Sequence, residues 1–205
     1  MTAGVSLPRL YAIVDASLLP PGLPPAFAGE LVKAGATLLQ YRNKGAGTAA
    51  ALSEARELRR VAKDVRLVMN DRADLCLASG CNGVHLGQED LSVEGARRIV
   101  GTNVWVGIST HNVAQVREAD STPADYIAIG PVFATSSKRN PDPVIGLEGV
   151  KEARRVTRKP LVAIGGINRR NCRDVIAAGA DSVAVISDLL ESPGKSVEAF
   201  LRILG

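Results

Sequence analysis

Residues 160–189, PLVAIGGINRRNCRDVIAAGADSVAVISDL, hold one complete repeat of the fold. Leu161-Val162-Ala163-Ile164 is continuous in branched and small apolar residues, the pattern of a parallel strand buried on both faces. Cys172, Val175 and Ile176 follow at helical spacing, and Ala178-Gly179-Ala180 then supplies a glycine suited to a left-handed helix end. A second apolar run begins at Ser182. Strand, helix, glycine stop and strand is the βα unit.

The unit recurs in both directions. Strands are expected at 10–15, 37–43, 66–71, 83–88, 104–110, 126–133, 160–167 and 182–189. Leu52, Ala55, Leu58 and Val61, and again Leu147, Val150, Ala153 and Val156, mark helices, and Phe200, Leu201 and Leu204 mark the last one. Gly35 and Gly80 stand where Gly179 does, just before a strand. The Pro-rich stretch 19–25 reads as the loop after the first strand. Eight alternations in 205 residues predict a single-domain (β/α)8 TIM barrel over 1–205, with an open doubly wound sheet as the alternative.

Composition agrees: 46% of residues are hydrophobic, but only 3% are aromatic, so Val, Ile, Leu and Ala must fill the core. A net charge of +4 mildly favours anionic ligands. The cations are dispersed and stacking aromatics are scarce, so nucleic acid is not expected as a partner. No run approaches a membrane span, and Cys76, Cys81 and Cys172 show no CxxC spacing, so each reads as a small buried hydrophobe. A cytoplasmic location is the default expectation. Composition allows a homo-oligomer without specifying one.

A barrel of this kind carries its chemistry at the C-terminal strand ends. Polar residues gather there: Asp15; Gln40, Arg42 and Lys44; Asn70 and Asp71; His85, Gln88 and Asp90; Ser109 and His111; Thr135, Ser137 and Lys138; Gly165 and Gly166; Ser187. Alternation puts Gln40, Arg42 and Lys44 on one face and Tyr41 and Asn43 on the other. Two cations beside an amide suit a phosphate and the edge of a heterocycle. Asp71 and Asp90 follow adjacent strands, whose ends lie about 5 Å apart, and so read either as a shared magnesium site or as caps of the helices that follow. Thr135, Ser137 and Lys138 suggest a phosphate cradle, with the loop through 139–145 as a lid. Gly165-Gly166 fits phosphate binding through backbone N–H groups. Ser109 has no evident triad partner and is read as a ring contact; His85 and His111 are weighed as bases but read as structural.

These motifs together resemble the thiamine-phosphate synthase and thiazole tautomerase family: Tyr11–Asp15, Gln40-x-Arg42-x-Lys44, Asn70-Asp71, HLGQED at 85–90, GISTH at 107–111, GPVFxTxSK at 130–138 and IGGI at 164–167. The resemblance runs from Leu10 to Leu189. It implies union of 4-amino-5-hydroxymethyl-2-methylpyrimidine diphosphate with a thiazole phosphate through a carbocation, with pyrophosphate leaving. By motif position, Arg42, Lys44, Asn70 and Lys138 would hold the diphosphate, and Asp71 and Asp90 the magnesium. Gln40 and Ser109 would meet the pyrimidine; Thr135, Ser137, Gly166, Ile186 and Ser187 would hold the thiazole phosphate. Arg42, Lys44, Ser109 and Lys138 are the catalytic candidates. Position 43 is Asn where the synthases usually carry an acid; because it faces away from Gln40, little effect is expected. The rivals are a tautomerase, a non-catalytic thiamine-phosphate binder and a phosphosugar isomerase or aldolase.

Overall fold

The structure is a computed structural model, and it describes residues 5–135 and 142–205. Eight parallel strands close into a barrel in sequence order: β1 (Leu10–Asp15), β2 (Leu38–Arg42), β3 (Arg66–Asn70), β4 (Gly83–Leu86), β5 (Trp105–Thr110), β6 (Tyr126–Ile129), β7 (Leu161–Ile164) and β8 (Ser182–Val185). The helices α1 (Pro24–Lys33), α2 (Thr48–Val61), α3 (Ala73–Ser79), α4 (Val93–Val100), α5 (Val113–Asp120), α6 (Gly146–Val156), α7 (Cys172–Ala177) and α8 (Pro193–Leu204) follow the strands one by one.

Every strand but β1 is shorter than the sequence reading, and two of those differences, with a third in the Pro-rich stretch, have a plain local cause. β6 stops at Ile129, because Pro131 has no N–H with which to continue a ladder. The chain still runs beside β7: Val132 and Phe133 donate to the Ile164 and Gly165 carbonyls at 2.9 and 3.0 Å. β8 stops at Val185, and a 3-10 turn takes over at Ser187–Leu189. The Pro-rich stretch is a loop only as far as Leu23. Pro24 and Pro25 form the first turn of α1, where the missing N–H groups cost nothing. The glycine stops are as expected: Gly35, Gly80 and Gly179 all have positive φ.

Two buried layers follow from the period of the strands. Leu39, Tyr41, Leu67, Met69 and Val84 face the helices as part of the larger core. Tyr11, Ile13, Leu38, Val68, Tyr126, Ala128, Val162 and Ala184 fill the lumen. Register sets heights within the lumen: His85 is level with Asn70 and Gly107, and Gly107 with Tyr126.

At the N-terminal end of the barrel one device recurs. The residue just before β4, β6 and β8 (Asn82, Asp125, Asp181) accepts the first or second N–H of the strand before it, at Leu67, Val106 and Leu161, over 3.1, 2.7 and 2.8 Å. Arginines of α4 and α6 reinforce two of these clamps, Arg97 on Asp125 at 2.5 Å and Arg154 on Asp181 at 2.9 Å.

Candidate active site

At the opposite end, the polar residues form three bonded groups. Arg42 closes β2, and its guanidinium donates to Asp15 at 2.5 Å. Asp15 is 2% exposed and also accepts from the backbone and hydroxyl of Ser17 at 3.1 and 2.6 Å. A buried carboxylate thus fixes the direction of a partly exposed cation. Lys44 reaches Asp71 at 3.2 Å and remains largely exposed.

Asp71 has φ 63°, a left-handed conformation that Asp tolerates better than most side chains. Its N–H donates to the His85 carbonyl at 2.7 Å, which holds that geometry. Burial and then the Asp90 carboxyl, within hydrogen-bonding reach, push the Asp71 carboxyl above its ordinary range; Lys44 opposes both. Asp90 also accepts from Gly87 N–H at 2.7 Å. Neither acid caps a helix. The N-cap of α3 is Arg72, without a side-chain bond, and that of α4 is Ser92, whose Oγ accepts from Gly95 N–H. The capping alternative for these two residues is therefore set aside. Two carboxylates crowded against one lysine fit a hard cation, which would relieve their repulsion. Among the described residues no group of three or more His, Cys, Asp or Glu side chains could hold a metal alone.

A string of hydrogen bonds runs through the lumen. Gln40 Nε2 donates to Tyr11 Oη at 2.9 Å. Tyr11 Oη meets Tyr126 Oη at 3.0 Å, Tyr126 Oη meets His85 Nδ1 at 2.9 Å, and His85 Nε2 meets Ser109 Oγ at 2.9 Å. Five strands contribute one residue each. Burial raises both phenols above their ordinary value, so they stay protonated, and lowers His85 from 6.5 to about 4 against a smaller opposing pull from Asp90, so the imidazole is neutral. The His85 ring stacks on Tyr126 with centroids 5.5 Å apart.

The sequence reading gave Tyr11 and Tyr126 no role and treated His85 as structural. The available signal was parity: Tyr11, Gln40, His85, Ser109 and Tyr126 all fall on lumen-facing positions of their strands. His111 lies off this string and bonds through Nδ1 to the Gly130 carbonyl at 2.8 Å.

Asn70 ends β3. Thr135, Gly166, Ile186 and Ser187 lie past the ends of β6, β7 and β8 on the same rim. Gly166 has φ 64°, and a Cβ there would stand 2.5 Å from the Ala134 carbonyl oxygen, so only glycine lets these two loops touch. Ser137, Lys138 and the first part of the expected lid lie outside the described residues. Asn43 does face away: its Nδ2 donates to Tyr41 Oη and to Glu54 of α2 at 3.2 and 3.1 Å.

A family model described as thiamine monophosphate synthase matches residues 10–189. The chain belongs to that family. Its members are transferases of thiamine biosynthesis, and curated relatives carry the name thiamine-phosphate synthase. One from Koribacter versatilis is 57% identical over all of this chain and 99% of its own length. Another, from Chloroflexus aurantiacus, is 43% identical over 87% of this chain and 83% of its own. A solved thiamine phosphate pyrophosphorylase from Pyrococcus furiosus superposes with a TM-score of 0.86 at 36% identity, covering 96% of this chain and 95% of its own. The fold is thus that of a thiamine-phosphate synthase family member, and no helix among the described residues is long and apolar enough to cross a membrane.

Proposed function

We propose that this protein joins 4-amino-5-hydroxymethyl-2-methylpyrimidine diphosphate to 4-methyl-5-(2-phosphooxyethyl)thiazole, giving thiamine phosphate and pyrophosphate. The observation that carries this reading is the Lys44–Asp71–Asp90 cluster at the same end of the barrel as the lumen-facing Gln40 and Ser109. One end suits a charged leaving group and the other a heteroaromatic ring.

In the proposed reaction the methylene C–O bond breaks first, and the diphosphate takes the electron pair. The thiazole nitrogen then donates its lone pair to the methylene cation. Arg42, aimed by Asp15, together with Lys44, Asn70 and Lys138, stabilises the charge that builds on the departing oxygens, which counts more in the transition state than in the bound substrate. Gln40 and Ser109 hold the ring in place. Thr135, Ser137, Gly166, Ile186 and Ser187 hold the thiazole phosphate, so capture of the cation is intramolecular in effect. Asp71 and Asp90 would hold magnesium, which when bound supplies positive charge to the diphosphate. With two protein carboxylates, the remaining ligands would come from phosphate oxygens and water. No general base is required. The proposal includes a cytoplasmic setting, in keeping with three free, buried cysteines.

The test is pyrophosphate release with both substrates present, with and without magnesium. Release that needs magnesium and both substrates is expected, and Asp71→Asn should lower kcat/KM by about 10²-fold or more. Failure to release pyrophosphate under these conditions would refute the reading and turn attention to thiazole tautomerisation.

A further inference from the structure

The lumen string has a property that its separate bonds do not: it can run in only one direction at a time. Each hydroxyl owns one hydrogen, and a neutral imidazole owns one on either nitrogen. With Gln40 Nε2 donating, Tyr11 must pass its hydrogen to Tyr126, and Tyr126 must pass its own to His85 Nδ1. His85 then carries its proton on Nε2 and donates to Ser109 Oγ. The hydroxyl hydrogen of Ser109 is left over, and Gln40 keeps Oε1 free. No buried side-chain N or O among the described residues lacks a partner, so that free oxygen borders accessible space. If the Gln40 amide turns over, every bond reverses: Gln40 then offers N–H groups, and Ser109 offers only an acceptor.

We propose that Tyr11, Tyr126 and His85 are positioning residues that couple the two ring contacts, so that an acceptor at Gln40 always goes with a donor at Ser109. A ring that presents an amino donor to one and a ring-nitrogen acceptor to the other matches this setting; an isostere with either feature removed leaves one end of the string unanswered. This rests on the reading that Gln40 and Ser109 meet the pyrimidine.

The geometry supports a rigid coupler rather than a loose chain. All three members are buried, and the Tyr126 ring is held between an edge contact to Tyr11, with centroids 6.1 Å apart, and the face of His85. The acidic groups near the string are Asp90, which acts on His85, and Asp125, which acts on Tyr126; neither hydrogen-bonds to a member of the string.

The experiment measures dissociation constants by calorimetry for a non-hydrolysable methylene-bisphosphonate of the aminopyrimidine. It is compared with two analogues in which each ring nitrogen in turn becomes C–H. The wild-type protein should bind one analogue about 10–100-fold more weakly, since a site hydroxyl is then left unpaired. Tyr126→Phe removes one oxygen and frees His85 to take either tautomer, and the ratio should fall to within about threefold. Tyr11→Phe should act in the same direction and guards against misfolding of a single variant.

An independent readout is available because the chain has 2 histidines. With 15N-labelled histidine, His85 should show a protonated Nε2 and a bare Nδ1 in the wild type, and a tautomer mixture in Tyr126→Phe. A wild-type ratio retained in both Phe variants, or an unchanged His85 tautomer, overturns the proposal. Ser109→Ala separates the two layers: loss of discrimination there with retention in the Phe variants removes the coupling alone. Full discrimination in Ser109→Ala removes the ring-contact reading beneath it.

Discussion

Gly107 offers a stringent test of how the lumen is built. A methyl at this β5 position would stand 2.1 Å from Tyr126 Cζ and 2.5 Å from its Cε2 and Oη. The ring has no room to retreat: Tyr126 is 1% exposed, with Tyr11 on one side and His85 on the other. Gly107→Ala must therefore displace the ring. Overpacking of this kind costs about 1–3 kcal/mol. Pulling the hydroxyl away from Tyr11 and His85 adds about 1–3 kcal/mol for buried polar groups left unpaired. Removing a strand glycine returns roughly 0.5–1 kcal/mol. The net expectation is a loss of roughly 1–5 kcal/mol, read as a shift in the urea midpoint at constant slope. The double variant Gly107→Ala/Tyr126→Leu clears the collision, so its loss should be smaller than the two single losses added. Gly107→Ala within about 0.5 kcal/mol of wild type, or strict additivity in the double variant, would refute this picture of the lumen.

Two further outcomes are expected. His85 titrates at about 4 in the folded protein instead of 6.5 because burial disfavours its cation. The unfolded chain thus takes up a proton as pH falls below 6.5 while the folded one does not. Stability contributed by the neutral His85 is fully present above that value and is lost as pH drops towards 4, by about 3 kcal/mol in all. Urea unfolding of wild type and His85→Gln across this window should show that excess acid sensitivity only in the wild type, and parallel curves would contradict it. At position 43, Asn43→Glu sets a carboxylate against Glu54, where Asn43 now donates at 3.1 Å. Thermal melting should register a loss of about 1–2 kcal/mol, with no gain in turnover; a manyfold gain would mean that an acid here takes part in the chemistry.

The sequence carried the strand count and the polar rim because both are local signals. Apolar runs mark strands buried on two faces, and strand ends can be compared one by one. It also carried the sidedness of Gln40 and Asn43, since strand parity is strict. What it did not carry were partners. Tyr11 and Tyr126 are 115 positions apart, and parity says that both enter the lumen without saying that they meet. The pairing of Arg42 with Asp15 is of the same kind: each was visible as a strand-end residue, but the bond depends on how β1 and β2 sit in register. β6 and β8 end early for backbone reasons, a proline without an N–H and a tight turn at Ser187.

The clamps at Asn82, Asp125 and Asp181 join β3 to β4, β5 to β6 and β7 to β8. The barrel is therefore stitched in twos, and its seams are not equivalent. A chain divided in the loops leading into β3, β5 or β7 keeps every strand-to-strand stitch inside one fragment, although the cuts before β5 and β7 part Arg97 from Asp125 and Arg154 from Asp181. Division just before β4, β6 or β8 cuts one. Half-barrels made along the first kind of seam carry their own fastenings, and all of the stitches lie at the end of the molecule away from the polar mouth.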